Sequence, residues 1–512
     1  MPPDFDAPRV DEHPDDLQPA TVIPHRRGLG AVCAIVVALV TAVITSYHMG
    51  SRQLWQDEYS TWYASTLKPS DFARLISHVD LSVAPYYLFM HPWIAIFGDS
   101  PAALRAPSLL ATSVAAGLIV LLGQRLFDLG TGILAGLLFA AIPTVSRYAQ
   151  EARPYAFATL LAVLATLLLV RAIESPTWPN WLRYGAVMVA LGYTHVIAIT
   201  LALPHFLAVR SAVKRHDVLR LWRWLAAGVA IIVVVVPYAL TASRQSIATA
   251  WIKVNFTKLA DYPEDLTGSN RIAAGLAISG LIAVLLMWRS AKVRVVMLAT
   301  WALLPPLVAF AGGQRMHVFL FRYFLFTLPA WTLLAAAGLT ALVRIGLRAT
   351  GGFGVVLRIM GTIALVATVA YLSIPTQKLY RMDPLEGTFP NYHGAALAII
   401  AKEKPGDAIA YGGDSIPRRA FTYEFRHAAK PHDVFMAATS QEIGQYADAQ
   451  CKAPISCLGK PPRIWLVSDV VSSDPFAGLK PATASVLKSQ FQVQHFEHFI
   501  GVQVALLVAN PA

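Results

Sequence analysis

The sequence predicts a polytopic α-helical membrane protein with about eleven transmembrane helices, followed by a small extracytoplasmic α/β domain. The chain has 512 residues, of which 56% are hydrophobic and only 14% are charged. One soluble core of this size would not bury so much apolar surface. Long apolar runs end near residue 375, and the composition after that point becomes mixed. A bilayer is therefore expected to solvate the larger, amino-terminal part.

The chain is basic, with 42 Lys and Arg against 30 Asp and Glu. In a soluble protein this surplus would suggest a nucleic-acid partner. In a membrane protein the position of the cations indicates topology instead. We therefore expect membrane lipids as partners, and no nucleic acid.

The first 27 residues are polar, rich in Pro and Asp, and predicted to be a disordered cytoplasmic leader. The apolar run from Leu29 to Met49 is long enough to span a bilayer, so we expect it to stay as an anchor. The predicted spans lie near 28–50, 105–127, 131–148, 155–173, 182–195, 196–211, 224–243, 271–289, 295–313, 323–344 and 354–375.

The fifth and sixth spans are short and leave an alternative open, since one broken passage would reverse every later orientation. The positive-inside rule distinguishes the two arrangements. Four basic clusters fall on one side only if both short helices cross. These clusters are Arg26 and Arg27; Lys214, Arg215, Arg220 and Arg223; Arg289, Lys292 and Arg294; and Arg344, Arg348 and Arg358. The amino terminus is thus predicted to be cytoplasmic, and the segment after residue 375 to lie outside.

Two outer segments follow from this topology, a first outer loop at 51–104 and a tail domain at 376–512. In the loop, residues 85–98 are apolar but too short to span comfortably, which predicts an interfacial helix. In the tail, a helix is predicted at 393–404, a turn at 404–407, and strands at 408–411 and 463–467. Cys451 and Cys457 lie close together in the tail, and their spacing is compatible with a disulfide or with two free thiols.

Acidic residues follow the first span. Asp57 and Glu58 are adjacent, and Asp80 precedes Tyr86 and Tyr87 of the interfacial segment. Acids at a membrane surface are costly to desolvate, so such a pair either faces water or serves a site. A solvated loop pair is the simpler alternative.

Charged and amide side chains also crowd the turn at 146–155, which contains Arg147, Gln150, Glu151 and Arg153. One interpretation is a hairpin cap in which Glu151 pairs with an arginine. The other is an anion site near the membrane, because guanidinium binds phosphate in bidentate fashion.

Further basic groups lie on the predicted outer face, against the usual orientation bias. His195 ends the fifth span, Arg315 and Arg322–Tyr323 precede the tenth, and Arg105 lies near the second. A phosphate at the interface would explain cations on this side. Taken alone, His195 is more typical of a helix-end hydrogen-bond donor, and Arg105 of a partner for a lipid headgroup or a nearby acid.

These segments resemble, in order, the motifs of bacterial PMT-like glycosyltransferases (glycosyltransferase family 39-like) of the GT-C superfamily, over roughly residues 30–345. The sequence departs from the family pattern at Val83–Ala84, where two prolines are common, and its tail shows no resemblance. The segments concerned are Trp55–Glu58, Asp80–Tyr87 with His91 and Trp93, Gly98–Ser100, Ala103–Ser108, Arg147–Tyr155, Tyr193–His195, and Arg322–Tyr323 with Leu328–Pro329.

The resemblance implies a GT-C fold in a bacterial inner membrane, over residues 28–375. It implies a polyprenyl-phosphate sugar donor and an extracytoplasmic acceptor hydroxyl on a glycan, lipid or protein. It makes Asp57 the candidate general base of a single displacement with inversion. No cofactor is required on this interpretation; a divalent cation held by Asp57 and Asp80 is the alternative.

The resemblance also implies roles for the other candidate residues. Glu58 and Asp80 would orient Asp57 or hold hydroxyls. The donor phosphate would be bound by Arg153, His195, Arg315, Arg322 and Tyr323. Structural or substrate-positioning residues would be Arg105, Arg147, Gln150, Glu151, Tyr86 and Tyr87. A lipid or solute transporter is the main rival, but it predicts ionisable residues near the bilayer midplane and repeated halves. A membrane scaffold is a further alternative, but it would not explain why charged residues cluster on the outer side.

Overall fold

The computed structural model describes residues 24–212, 218–245, 251–346, 353–413 and 416–511. Most of the predicted disordered leader therefore lies outside the described residues, as do Lys214, Arg215 and Arg348 of the basic clusters.

Up to residue 380 the described chain is almost entirely helical. Its α-helices are α1 (Pro24–Ser46), α2 (Gln56–Thr66), α3 (Pro69–His78), α4 (Ala84–Phe97), α5 (Pro101–Leu126), α6 (Leu129–Ala141), α7 (Pro143–Ala149), α8 (Tyr155–Glu174), α9 (Trp178–Thr194), α10 (Ala202–Ala212), α11 (Val218–Ser243), α12 (Phe256–Thr267), α13 (Asn270–Met287), α14 (Lys292–Met316), α15 (Leu328–Gly346) and α16 (Phe353–Tyr380). Short 3-10 helices at Leu81–Val83, Val196–Leu201 and Phe321–Thr327 precede α4, α10 and α15.

Each predicted span corresponds to helical structure. Eight of the described helices are long and apolar enough to cross a membrane, and a ninth crossing results if the pair α6–α7, bent by 68°, is one span. Helix α9, with 17 residues, and the segment 196–212 are shorter than this limit. A multi-pass membrane protein is thus confirmed, whereas the number of eleven crossings stays a prediction.

The chain reverses direction at His195. Tyr184, early in α9, has its hydroxyl 3.1 Å from Nδ1 of His205 in α10. The other ring nitrogen of His205 lies 3.1 Å from Oγ1 of Thr166 in α8. His205 of α10 therefore contacts both α8 and α9, so the chain folds back after His195. This is compatible with separate passages for the fifth and sixth predicted spans, which stay a prediction.

The tail contains the predicted helix and strands within a small α/β domain. The strands are β1 (Ala408–Gly412), β2 (His432–Asp433), β3 (Met436–Ala438), β4 (Ala449–Gln450), β5 (Arg463–Ser468), β6 (Phe491–Phe499) and β7 (Val502–Ala509). Five of them form a sheet of order β2-β1-β5-β7-β6, in which β1 is parallel to β2 and β5, and β7 is antiparallel to β5 and β6. The helices are α17 (Tyr392–Ile400), α18 (Ile416–Glu424), α19 (Ser440–Ile443), α20 (Pro454–Cys457) and α21 (Pro481–Gln490).

A second, antiparallel pair, β3–β4, stands apart from the main sheet and carries α19 between its strands. Cys451, directly after β4, forms a disulfide with Cys457. The bridge, which the sequence left open, thus ties the end of this pair to α20.

The tail and the first outer segment share one hydrophobic core. Tyr59 of α2 and Tyr87 of α4 belong to the same buried cluster as Phe421 of α18 and Trp465 of β5. The rings of Trp62 and Tyr423 meet edge to face, with 5.1 Å between their centroids. Burial of aromatic rings is a large source of stability, so α2 is clamped between the helical bundle and the tail domain.

Candidate functional site

The site begins at the first turn of α2. Trp55 caps the helix: its backbone N–H donates to Glu58 Oε2 at 3.2 Å. Asp57 and Glu58 therefore lie at the positively polarised end of the helix dipole, where carboxylates are stabilised. Although the two acids are adjacent, they have different surroundings.

Glu58 is fully buried and paired with Arg105. Its Oε1 accepts from Arg105 Nε at 2.8 Å and from the backbone N–H of Ala152 at 3.0 Å, and its Oε2 accepts from Arg105 Nη2 at 2.7 Å. Burial alone would raise the pKa of Glu58, but the charge and hydrogen bonds of Arg105 lower it overall. The ionised Glu58 side chain thus connects α2 to α5 and to the turn after α7.

Asp57 lies between two guanidinium groups. Its Oδ2 is 3.5 Å from Arg322 Nη2 and 3.9 Å from Arg153 Nε. The Asp57 side chain is 22% exposed, against 11% for Arg153 and 14% for Arg322. Both distances exceed those of a charge-assisted hydrogen bond. Among the described residues, neither Arg153 Nε nor Arg322 Nε has a hydrogen-bond partner. These arginines therefore retain the capacity to bind an anion.

Trp55 provides the surface on which Arg322 lies. The guanidinium carbon of Arg322 is 5.4 Å from the centroid of the Trp55 ring and 6.0 Å from that of Trp251. Arg147 also lies 5.4 Å from the Trp55 centroid, and its Nη1 is paired with the buried Glu151. Cation–π contacts orient a guanidinium while leaving its edge available. Burial raises the pKa of Glu151, an effect that the charge of Arg147 opposes.

Asp80 reaches the same site through two tyrosines. The hydroxyls of Tyr87 and Tyr446 donate to Asp80 Oδ2 at 2.9 and 2.7 Å. Arg153 Nη1 in turn donates to the Tyr87 hydroxyl oxygen at 3.1 Å. Asp80 itself has a left-handed backbone (φ 56°) at the start of the 3-10 helix before α4. A chain of polar contacts thus connects Asp80 to the arginine that faces Asp57.

His195 lies in an aromatic cluster at the reversal between α9 and α10. Its ring is 5.5 Å from that of Tyr323, 6.1 Å from that of Tyr155 and 6.3 Å from that of Phe326, centroid to centroid. Its Nε2 is buried and has no hydrogen-bond partner among the described residues. His195 therefore has a ring nitrogen without a partner among the described residues, and its ring packs against Tyr323, which follows Arg322 in the sequence.

The remaining predicted residues occupy nearby structural positions. Gln150 Nε2 donates to the carbonyls of Thr45 and Tyr47, at 2.6 and 2.7 Å, which fastens the turn to the end of α1. Tyr86 is buried against Phe89 and Phe157. The side chain of Arg315 lies outside the described part of the chain, so its predicted role as a phosphate ligand stays a prediction.

Three residues of this site have no predicted role, Trp55, Trp251 and Tyr446. Trp55 is the first residue of the Trp-Gln-Asp-Glu segment, so its position beside the two acids is a sequence signal for a role in the site. Tyr446 lies in the tail, 366 residues from its partner Asp80, in a segment without a recognisable motif. A cavity of about 280 Å³ also opens beside Trp55, between the bundle and the tail, with Gln56, Phe389 and Asp469 among its lining residues.

Whether Asp57 and Asp80 hold a divalent cation stays a prediction. The described residues contain no group of three or more His, Cys, Asp or Glu side chains placed to hold a metal ion. The cationic groups beside Asp57 would also repel one.

Comparison with known proteins supports the fold. Residues 84–240 match the family model of dolichyl-phosphate-mannose-protein mannosyltransferases. A search of curated proteins found no significant match. The structure is similar to that of ArnT from Cupriavidus metallidurans bound to undecaprenyl phosphate, with a TM-score of 0.59 and 14% identity, over 93% of this chain and 99% of that chain.

It is also similar to the archaeal oligosaccharyltransferase AglB from Archaeoglobus fulgidus, in complex with an inhibitory peptide and a dolichol-phosphate. That match has a TM-score of 0.52 and 11% identity, over 85% of this chain and 69% of that chain. The resemblance to PMT-like proteins is therefore confirmed over residues 84–240, and the similar structures confirm the GT-C fold.

Proposed function

We propose that the protein is a membrane glycosyltransferase that moves a sugar from a polyprenyl-phosphate donor to an extracytoplasmic acceptor hydroxyl. The observation that carries this proposal is the position of Asp57 between Arg153 and Arg322. A base and a phosphate clamp in contact are the two components that a single displacement at an anomeric carbon requires.

The clamp also explains how Asp57 becomes a base. Without donor, the two guanidinium groups neutralise its carboxylate at 3.5 and 3.9 Å. A donor phosphate offers them shorter, bidentate contacts. When the arginines turn to the phosphate, Asp57 is released to accept a proton from the acceptor.

The proposed reaction is a single displacement at the anomeric carbon. The acceptor oxygen forms a bond to the anomeric carbon and loses its proton to the Asp57 carboxylate. The bond between that carbon and the phosphate oxygen breaks, and the lipid phosphate leaves on the opposite face with its charge held by Arg153 and Arg322. Attack from the face opposite the leaving group inverts the anomeric configuration.

Donor and acceptor chemistry are supported by the structural relatives. The ArnT structure contains undecaprenyl phosphate, and the AglB structure is a complex with an inhibitory peptide and a dolichol-phosphate. We infer a polyprenyl-phosphate donor here too, with mannose as one candidate sugar. The cavity beside Trp55 and Gln56 offers the acceptor, whether glycan, lipid or protein, space next to Asp57.

Topology and cofactor belong to the same proposal. We place the amino terminus in the cytoplasm and the tail outside a bacterial inner membrane, since this puts the arginine clamp on the side where the acceptor lies. The guanidinium groups supply the positive charge that a metal supplies elsewhere, so we expect transfer to proceed in EDTA.

The decisive experiment replaces wild type by Asp57→Asn in cells and compares envelope glycans and lipid-linked sugars by mass spectrometry. Loss of one glycan and accumulation of its lipid-linked donor are expected. Asp261→Asn is the matched control, because Asp261 is an exposed residue of α12. Unchanged profiles with a stably produced Asp57→Asn protein would reject the proposal, and so would equal effects of both variants.

A further inference from the structure

The tail domain contacts Asp80 and Tyr87 of the candidate site through the side chain of Tyr446. Its hydroxyl donates to Asp80 Oδ2 at 2.7 Å, and its oxygen lies 3.1 Å from that of Tyr87. Tyr87 accepts from Arg153 Nη1 at 3.1 Å. Three contacts therefore lead from the tail to the guanidinium group that faces Asp57.

The Tyr446 ring is held on both sides. The guanidinium carbon of Arg419 lies 4.8 Å from its centroid, and the ring of Tyr63 in α2 lies 5.8 Å away. The segment that carries Tyr446 is anchored to α3, where Arg74 Nη1 donates to the carbonyl of Gln441 at 2.6 Å. The hydroxyl is thus presented to Asp80 in a defined position.

The two phenols act as donors in this cluster. Burial raises the pKa of Tyr446 and that of Tyr87, so both hydroxyls keep their protons. Both protons go to the same carboxylate oxygen of Asp80. The lone pairs of the Tyr87 oxygen are then left to accept from Arg153, and the orientation of this acceptor depends on the whole cluster.

We propose that Tyr446 is a positioning residue of the donor site: the tail domain, through the Tyr446 hydroxyl, Asp80 and Tyr87, holds Arg153 in the orientation that binds the donor phosphate. This inference rests on the proposed function. It gives the tail a role in donor binding in addition to any role in recognising the acceptor.

Removing the Tyr446 hydroxyl leaves Asp80 Oδ2 with one donor instead of two. The Tyr87 oxygen also loses the neighbour 3.1 Å away that fixes its position, so it can move away from Arg153 Nη1. A lost hydrogen bond of this kind weakens an interaction by about fivefold to tenfold. The loss should appear in phosphate binding rather than in folding.

The test measures binding of undecaprenyl phosphate to the purified full-length protein in detergent, for wild type, Tyr446→Phe, Tyr87→Phe and the double variant. Each single variant is expected to bind about fivefold to tenfold more weakly. The double variant should bind no more weakly than the worse single variant, because the two hydroxyls act in one chain. In a transfer assay, Tyr446→Phe should raise the KM for the donor more than it lowers kcat.

Tyr59→Phe is the matched control. Tyr59 also joins α2 to the tail, since its hydroxyl donates to Glu424 Oε1 at 2.9 Å, but its contacts within the described part of the chain do not include Asp80, Tyr87 or Tyr446. The Tyr59→Phe variant should bind undecaprenyl phosphate as tightly as wild type does. A weakening equal to that of Tyr446→Phe would show that both act through tail docking alone, and would overturn the proposal.

Arg153→Lys separates this inference from the proposed function. Weak binding by Arg153→Lys together with wild-type binding by Tyr446→Phe would refute only the role of Tyr446. Wild-type binding by both would refute the phosphate clamp itself. If Tyr446→Phe lowers the unfolding temperature, Tyr87→Phe tests the same contacts from α4, and wild-type binding by that variant would overturn the inference.

Discussion

Glu58 and Arg105 form an ion pair in which both side chains are completely buried, with 2.7 Å between Oε2 and Nη2. Arg105 also donates to the carbonyls of Met49, Arg52 and Gln53. Arg105 therefore holds the segment between α1 and α2 in place through three backbone carbonyls. The neighbouring Asp57 keeps partial exposure and meets two arginines that have hydrogen-bonding capacity to spare.

Glu58→Gln should destabilise the protein strongly, because it leaves the Arg105 charge buried without its counter-ion. The expected loss is about 3 to 5 kcal/mol, measured by thermal or denaturant unfolding in detergent. Asp57→Asn is the comparison and should unfold close to wild type. Equal stability of the two variants would contradict the structural role of Glu58.

Arg322→Lys should weaken binding of undecaprenyl phosphate by about tenfold while leaving the charge unchanged. Lysine is a point charge that provides neither the bidentate fork nor the planar contact with Trp55 and Trp251. Trp55→Leu should reproduce part of this loss. Arg344→Lys is a suitable control, since Arg344 pairs with Asp128 on the surface. Retention of full affinity in Arg322→Lys would argue against a guanidinium clamp.

The contact between His393 and Glu424 should weaken as the pH rises. His393 Nδ1 lies 2.7 Å from Glu424 Oε2, and this hydrogen bond is the main reason why the pKa of His393 is raised above its ordinary value of 6.5. A raised histidine pKa contributes stability that is complete below the unfolded-state pKa and is lost as the pH rises through the folded-state value.

Hydrogen exchange of peptides from α18 measures this effect. Wild type should lose protection relative to His393→Gln as the pH is raised from about 6 to about 9, with the two compared at each pH. A constant difference across this range would show that the protonated histidine does not stabilise the junction.

Cys451 and Cys457 should resist alkylation until a reductant is added, if the tail lies outside the cytoplasm as proposed. Disulfides persist in oxidising compartments and are rare in the cytosol. Mass spectrometry of protein alkylated in intact cells, with and without reduction, tests the bridge and the topology together. Full labelling of both thiols without reductant would place the tail on the cytoplasmic side or exclude the bridge in cells.

Local patterns predicted most of the helices because their signal is periodic or compositional. Apolar runs indicated the bundle, and the change at residue 375 indicated the tail, although α16 continues to Tyr380. The segments that carry Asp57, Arg153 and Arg322 follow one another in the order of the PMT-like motifs, and this resemblance predicts that the three residues belong to one site. The structure brings these three side chains into contact.

The different surroundings of Asp57 and Glu58 were not predictable, because adjacent acids look equivalent in a sequence. What distinguishes them is a partner, Arg105, 47 residues away from Glu58. The contact of Tyr446 with Asp80 is more distant still and has no local signature. Long-range pairing of this kind depends on how the tail docks, which no pattern within either segment encodes.

The buried cluster that unites α2 and α4 with the tail limits how such a protein changes in evolution. A tail domain taken from a relative would meet the Tyr59 and Trp62 rings with a surface shaped for other neighbours. A new tail would therefore have to arise together with a matching segment 51–104, or through small successive changes on both sides. Because that same segment carries Asp57, a change of tail is coupled to the candidate site from its first step.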